Sequence, residues 1–198
     1  SRRHLGMILE SIVTTMNEDG SVNVSPMGPT VNDSLQNFEL RPFNTSQTFA
    51  NLKRTRTGVV HVTDDVGLIA QSAIGKLTPL PEFFPAEKVT GQVIANTCRW
   101  YEFQVEYIDE NSARTNINCK TLHAGRVRDF WGFNRAKHAV IEAAILATRL
   151  DFLPREEIKD QFQRLETIII KTGSAEESKA FRLLSEHVGH QTGNNASA

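Results

Sequence analysis

Residues 21–57, SVNVSPMGPTVNDSLQNFELRPFNTSQTFANLKRTRT, decide how the rest of the chain is read. Val22 and Val24 alternate with Asn23 and Ser25, the period of a half-buried strand. Pro26, Met27 and Gly28 interrupt that strand where backbone and a ligand can come close. Phe38-Glu39-Leu40-Arg41 reads as a second short strand, and Pro42 leads from it into a helix start. Asn44 followed three residues later by Gln47 has the form of a capping box. Thr45, Ser46 and Thr48 crowd hydroxyls into the same first turn. Unpaired amides and the helix dipole make such a terminus suit a phosphate. The same letters also describe a capped surface helix between strands, with Phe49 and Leu52 on its apolar face. Lys53, Arg54 and Arg56 sit at its end, where the dipole favours cations.

Working outward, residues 8–16 (ILESIVTTM) are rich in β-branched side chains, and Asn17-Glu18-Asp19-Gly20 predicts a hairpin turn with Gly20 at positive φ. Downstream, Val59-Val60-His61-Val62 is expected to be a central strand, with His61 a hydrogen-bonded core residue. Thr63-Asp64-Asp65 caps a helix carrying Val66, Ile69, Ala70 and Ala73, which Gly75 stops. Residues 77–87 read as a loop whose Phe83-Phe84 pair either plugs the core or covers a ligand. Residues 89–96 form a further strand. Residues 100–108 (WYEFQVEYI) place Tyr101, Phe103, Val105 and Tyr107 on one face and Glu102, Gln104 and Glu106 on the other. A turn at residues 109–112 leads to a strand with Arg114, Asn116, Asn118 and Lys120 on one face and Thr115, Ile117 and Cys119 on the other. That donor-rich face either borders a polar ligand or belongs to a solvated edge strand.

From Asn134 the period changes to that of packed helices. Ala136, Ala139, Val140, Ala143, Ala144, Ala147 and Leu150 form one stripe, and Ile158, Phe162, Leu165 and Ile169 a second. Pro154 stands at the start of the second helix. Ser174 with Glu177 is a further capping box before Phe181, Leu184 and Val188. Residues 189–198 read as a disordered tail.

At 198 residues the chain is long enough for one sizeable core, or a core plus an appendage. A net charge of −1 gives no whole-chain attraction to nucleic acid or an acidic membrane. The apolar runs fall short of the ~18 residues of a membrane span. The Ser1-Arg2-Arg3-His4 start lacks a signal peptide's apolar core, and two cysteines make no disulfide framework, so a cytoplasmic setting is expected. Phosphate-loop, dinucleotide, zincin and nucleophile-elbow motifs are missing, and the six histidines are scattered, with His187 and His190 the only close pair. Cys119 lacks a nearby base. With so little acid–base apparatus, an enzyme built on this chain would leave the chemistry to a cofactor.

The order hairpin, Ser25-Pro26-Met27-Gly28, short strand, Thr48-Phe49-Ala50-Asn51-Leu52 and Val59-Val60-His61-Val62-Thr63-Asp64-Asp65 resembles the FMN-binding split-barrel flavoproteins of flavin-reductase type. More closely, the whole chain is similar to an uncharacterised family within that superfamily, in which a split barrel precedes a helical C-terminal domain. Asn134-Arg135-Ala136-Lys137, the run EAAILATRL at residues 142–150 and Lys171-Thr172-Gly173 match that family's signature.

The resemblance implies an α+β, mainly antiparallel β fold: a six-stranded split β-barrel of FMN-binding type over residues 1–128, a C-terminal helical subdomain over 129–188, and a tail over 189–198. It implies a homodimer with FMN at or near the subunit interface. Ser25, Pro26, Met27 and Gly28 would line the flavin ring. Arg41, Asn44, Thr45, Ser46 and Thr48 would surround its phosphate, and Asn51 would brace that turn. The Asn118, Cys119 and Lys120 stretch would border the substrate or the pyrimidine edge, and Asn134, Arg135 and Lys137 form a second candidate anion site. Where flavin reductases have a basic residue and an acid before this Thr, the chain has Ser46 and Gln47, so the phosphate charge falls to Arg41, to a partner-chain residue such as Lys120, or to hydroxyls and amides. Two functions follow: an FMN-dependent oxidoreductase acting on an unidentified small molecule, or a dimeric protein that holds FMN or another phosphorylated ligand without turnover. Nucleic acid and membrane partners are not expected.

Overall fold

The turn at Asn17-Glu18-Asp19-Gly20 starts the barrel. Gly20 takes φ +84°, its amide donates to Asn17 O at 3.0 Å, and the Asn17 amide donates to Ser21 O at 2.9 Å. The structure, a computed structural model, describes residues 6–111 and 114–194. The start at residues 1–5 and part of the turn expected at 109–112 lie outside them.

Strand β1 (Met7–Ile8) pairs with β4 (Thr30–Val31), and β2 (Ser11–Met16) pairs with β3 (Val22–Met27). The register is one and the same throughout: Met7 faces Val31, Ser11 faces Met27, and Met16 faces Val22. These four segments are therefore a single long hairpin, bent at Leu9-Glu10 on one arm and Gly28-Pro29 on the other. The Leu9 amide donates to Pro29 O across the bend at 3.0 Å. At Gly28 a Cβ would come within 2.8 Å of Ile8 Cγ2, so a larger residue there would require the exposed Ile8 side chain to shift.

Beyond the bend, β4 joins β5 (Asn37–Leu40), while β2 joins β6 (Thr57–Val62). Between them stand β10 (Asn116–Arg126) and β9 (Arg99–Asp109), so the antiparallel ladder runs β4-β5-β10-β9-β6-β2 and closes through the hairpin. The sheet has eight strands rather than the expected six. The surplus arises because two of six chain passages are broken by the bend. Pro26 and Met27 remain inside β3, so the interruption begins two residues later than expected, at Gly28. Pro26 is tolerated because β3 pairs with β2 alone among the described strands and keeps a free edge. β10 is central, not at the edge that its polar face suggests.

Val13, Phe38, Leu40, Leu52, Val60, Phe103, Val105 and Ile117 fill the barrel, with Phe38 edge-on to Phe103 at 5.2 Å. Helix α1 (Gln47–Thr55) adds Phe49 and Leu52 to this core. A bulge explains where the alternation of β9 fails. Asn118 faces Tyr107, but the next pair is Cys119 with Val105, so one residue is skipped and the faces exchange. Ile108 thus turns inward and Tyr107 outward, 59% exposed.

The opposite face of β9 is also covered. A ribbon of β7 (Phe83–Pro85) and β8 (Gln92–Ile94) lies over Val59 and Trp100, and Phe84 meets Trp100 edge-on at 5.3 Å. Phe84 is a plug, not a lid. Three buried polar side chains on adjacent strands fasten the ribbon. Thr14 Oγ1 donates to Gln92 O at 2.6 Å. His61 Nδ1–H donates to Ile12 O, and its Nε2 accepts the Ile94 amide, both at 3.0 Å. Glu102, on the face opposite Phe103, is fully buried and accepts the amides of Glu87 (3.0 Å), Lys88 (2.5 Å) and Val89 (3.2 Å) and the Trp100 indole N–H (3.0 Å).

Residues 64–80 and 131–198 make a second compact unit, separate from the barrel residues. It contains α2 (Val66–Ala73), α3 (Arg135–Ala147), α4 (Arg155–Thr172) and α5 (Ala175–Asn194). The helical unit is therefore discontinuous in sequence, since α2 joins the C-terminal helices. The alanine stripe of α3 is its buried face, with Ala136, Ala139, Val140, Ala143 and Ala144 all inside. The capping box at Ser174 forms: its amide donates to Glu177 Oε2 at 2.7 Å. Helix α5 continues to Asn194, where a disordered tail was expected from residue 189; residues 195–198 lie outside the described ones.

The ribbon fastening makes stability fall with acid. Burial pushes the His61 pKa from 6.5 to about 4, against the opposing hydrogen bond to Ile12. The unfolded chain therefore takes up a proton below pH 6.5 that the folded chain refuses until about pH 4, and stability is lost across that window. Glu102 acts with the same sign lower down. Burial raises its pKa, but the Lys88, Glu87, Trp100 and Val89 hydrogen bonds outweigh that and hold it below 4.5. Urea unfolding between pH 7 and pH 4 should show a loss on the order of 3 kcal/mol traceable to His61, from about 1.4 kcal/mol per pKa unit. His61→Gln should flatten that slope; an unchanged slope would contradict the assignment.

Candidate functional site

The bend of the hairpin leaves the free edge of β3 beside the start of α1. Between them lies a cleft of about 340 Å³. Ser25, Pro26, Met27, Gly28, Arg41, Ser46 and Thr48 line it, and Ile8, Thr30, Pro42, Phe43 and Arg114 complete it. Seven residues expected at a ligand site from sequence are thus brought to one place.

The helix start differs in detail from its expected form. Ser46, not Asn44, is the N-cap: its Oγ accepts the Phe49 amide at 3.1 Å and donates to Phe43 O at 2.8 Å. The amides of Gln47 and Thr48, at the first two helical positions, have no acceptor within the helix. Thr48 is buried, and its Oγ1 accepts Asn23 Nδ2 at 3.1 Å, which ties α1 to β3. Asn44 and Thr45 are exposed and lie outside the cleft lining. Asn51 is buried and braces the helix. Its Nδ2 donates to Thr15 Oγ1 (3.0 Å) and Asn17 Oδ1 (2.8 Å), while its Oδ1 accepts Gln47 Nε2 (2.9 Å) and Arg54 Nη1 (3.2 Å).

Asn118, Cys119 and Lys120 are not brought to this cleft. Asn118 lines a neighbouring groove with Glu39 and Tyr107, and Thr30 borders both spaces. The Cys119 side chain belongs to the barrel core, where burial pushes its thiol pKa far up. That rules it out as a nucleophile. Lys120 is exposed opposite Asn37.

Five lining residues were not among those expected at the site, Ile8, Thr30, Pro42, Phe43 and Arg114, and the last two, Phe43 and Arg114, touch each other. They form an isolated bridge, with the Arg114 guanidinium 4.1 Å from the Phe43 ring centroid and Nη1 3.5 Å from Arg41 O. The alternation of β10 put Arg114 on the same face as Asn118. Nothing local said that β5 would continue past Pro42 to meet it. No carboxylate is among the lining residues of the cleft, and two guanidinium side chains are.

The helix start at Asn134 is committed elsewhere. Asn134 Oδ1 accepts the Lys137 amide and its Nδ2 donates to Thr172 O, each at 3.0 Å. Lys137 Nζ donates to Glu177 Oε1 at 2.8 Å and Asp64 O at 3.1 Å. Burial raises the Glu177 pKa, but Lys137 and Ser174 more than offset it and bring it down to about 2. This is an ion pair within the helical unit, and the anion-site reading of Lys137 falls with it. Among the described residues, no group of three or more His, Cys, Asp or Glu side chains is placed to hold a metal, and no helix is long and apolar enough to cross a membrane.

Family models described as the N-terminal domain of a protein of unknown function, DUF447, and as DUF447 match residues 9–128 and 134–186. The chain belongs to the DUF447 family. An FMN-bound DUF447 protein from Methanosarcina mazei aligns with 92% of this chain and 95% of its own length, at 24% identity and a TM-score of 0.79. A 2-nitrobenzoate 2-nitroreductase from Pseudomonas fluorescens covers 64% of this chain and 67% of its own, at 13% identity and 0.51. The flavin reductase of styrene monooxygenase from Pseudomonas putida covers 62% and 82%, at 14% and 0.51. These likenesses establish a common fold, the split barrel of the flavoproteins that the sequence resembles. No curated protein sequence matches the chain.

Lys137→Met should lower stability on the order of 3 kcal/mol, the scale of stranding a buried carboxylate. Differential scanning calorimetry reads this directly. A midpoint equal to that of the unmodified protein would return Lys137 to the list of ligand-binding candidates.

Proposed function

We propose that this DUF447 protein binds FMN in the cleft between β3 and α1 and works as an FMN-dependent oxidoreductase on a small molecule. The observation that carries the reading is the pairing of a free strand edge with a capped helix start and two guanidiniums, in a space that no carboxylate lines. Its fit to FMN is physical. A planar ring needs a flat polar edge, and β3 offers main-chain groups on a side that no described strand covers. A phosphate dianion needs cations and N–H donors, which Arg41, Arg114 and the first amides of α1 supply. The Methanosarcina mazei family member, described as FMN-bound, supports the choice of ligand.

In this reading Ser25, Pro26, Met27 and Gly28 flank the ring largely through backbone. Arg41, Ser46 and Thr48 hold the phosphate, with Asn44 and Thr45 at the rim of that turn. Asn51 keeps α1 seated by its bonds to Thr15 and Asn17. Asn118 and Lys120, on the neighbouring face, take the substrate side or the pyrimidine edge, with Cys119 between them contributing backbone alone. Bound flavin supplies reversible hydride or electron transfer at its ring, and the protein's part is orientation, exclusion of water and hydrogen bonds that tune the ring. A homodimer with the cleft near the subunit interface and a cytoplasmic setting belong to the same proposal.

A second reading, a dimer that holds FMN without turnover, is favoured by one feature: the cleft's charged lining residues are both arginines, which do not act as acid–base groups. Purified protein, or protein supplied with FMN, should be yellow, with absorbance near about 450 nm from the flavin itself. Protein that stays colourless and ignores FMN contradicts both readings. Anaerobic bleaching by NADH or NADPH supports turnover, and its absence favours the carrier. Thr48→Val should weaken FMN binding about tenfold, the size of one charge-assisted hydrogen bond, and Thr45→Val, outside the lining, by less than about twofold. Equal effects at both positions would mean that the phosphate lies elsewhere.

A further inference from the structure

Asn17, Asn51, Thr15, Asn23 and Thr48 form a chain of polar side chains from the hairpin turn to the cleft, and the direction of its hydrogen bonds is set from one end. Asn51 Oδ1 accepts Gln47 Nε2 at 2.9 Å and Arg54 Nη1 at 3.2 Å. A guanidinium only donates, so the other side of the Asn51 amide must be its N–H donor. That Nδ2 donates to Asn17 Oδ1 at 2.8 Å and to Thr15 Oγ1 at 3.0 Å. Thr15 stands opposite Asn23 in the register of β2 with β3, and its Oγ1 also accepts Asn23 Nδ2 at 3.2 Å. The same Nδ2, which carries two hydrogens, donates to Thr48 Oγ1 at 3.1 Å.

A threonine hydroxyl has one hydrogen beside its acceptor lone pairs. At Thr48 a lone pair is taken by Asn23, and the hydrogen meets no acceptor among the described residues. Thr48 is 3% exposed and lines the cleft. A donor so nearly buried and left unpaired calls for an acceptor from a ligand. Asn23 is not among the lining residues; it lies on the same face of β3 as Ser25, one alternation back. We infer that Asn23 is a positioning residue: by donating to Thr48 it turns the Thr48 hydrogen toward the cleft, where it meets an acceptor atom of the ligand. A hydroxyl free to rotate offers a lone pair as readily as a hydrogen, so the Asn23 amide gives the cleft its preference for acceptors at this point. For the identity of the ligand the inference rests on the flavin reading; the direction of the Asn23–Thr48 hydrogen bond does not.

Two readouts test it. In 15N-labelled protein without ligand, Thr48→Val should move one of the Asn23 side-chain amide protons upfield, with the backbone spectrum keeping its folded dispersion. Unmoved Asn23 amide protons would mean that the amide is turned over, its carbonyl taking the Thr48 hydrogen, and would overturn the inference. The second readout is FMN affinity by flavin fluorescence. Asn23→Asp keeps the shape but replaces donors by acceptors, so Thr48 should turn its hydrogen inward and affinity fall about tenfold, the loss of one hydrogen bond. Asn23→Ala merely releases the hydroxyl and should cost about threefold or less. A residue that only held the fold would show the opposite order, since Ala empties the position and Asp fills it. In a Thr48→Val background the Asn23→Asp loss should shrink to within about twofold, because the group it acts through is gone. A loss that stays near about tenfold in that background is charge repulsion, and it overturns the inference. If the unmodified protein ignores FMN, the flavin reading fails, while a shifted Asn23 amide still sustains the relay and an unshifted one overturns it.

Discussion

The bend in the first hairpin governs the molecule. If residues 7–31 formed a straight hairpin, each arm would pair with one neighbour along its whole length and the sheet would remain open. Breaking both arms at the same level, at Leu9-Glu10 and Gly28-Pro29, lets the outer half of one arm, β4, pair with β5 while the inner half of the other, β2, pairs with β6. The ladder closes into a barrel, and the inner half of one arm is left with a free edge. The cleft exists because of that edge. Ser25, Pro26 and Met27 line it from a strand whose far side pairs with no described strand and lies beside the start of α1. Gly28, beside Ile8, sits at the hinge between the two jobs.

A second constraint shapes the other side of the barrel. Polar side chains that point outward from β2, β6 and β9 would ordinarily meet water. Here Thr14, His61 and Glu102 are buried under the β7-β8 ribbon, and each is satisfied by ribbon backbone. Glu102 gathers three consecutive amides and an indole N–H, a set of donors strong enough to keep a buried carboxylate ionised. Gly125 allows it, since a Cβ there would lie 2.1 Å from the Trp100 ring that carries the indole donor. Acid removes this fastening from both ends, by charging His61 and by discharging Glu102.

Local patterns in the sequence carried a large part of this architecture. The hairpin turn, the strand around His61, the helix of Thr48 and Asn51, the alanine stripe and the Ser174 cap are all readable because each depends on neighbours within a few residues. The failures share a cause: each depends on a partner far along the chain. The burial of Glu102 does not show in the alternation of β9, because the ribbon that covers it lies 13–15 residues upstream. Tyr107 looked inward because a bulge, defined by pairing with β10, exchanges the faces. Lys137 looked like an anion site because Glu177 is 40 residues away. Of the candidate site, the stretches at Ser25 and Thr48 were legible, whereas Arg114 reaches the cleft through a register that no single segment displays. Asn118 and Lys120 face outward and the Cys119 side chain inward, as the alternation reads, but none of the three lines the cleft.

The central claim is that a phosphorylated flavin lies along the free edge of β3 with its phosphate at the start of α1. Amide chemical-shift mapping of 15N-labelled protein titrated with FMN tests this most directly. The account predicts the largest shifts at the amides of Ser25, Met27 and Gly28, at Gln47 and Thr48, and at the Arg41 and Arg114 side chains. Shifts confined to helices α3, α4 and α5, or none at saturating FMN, would contradict it.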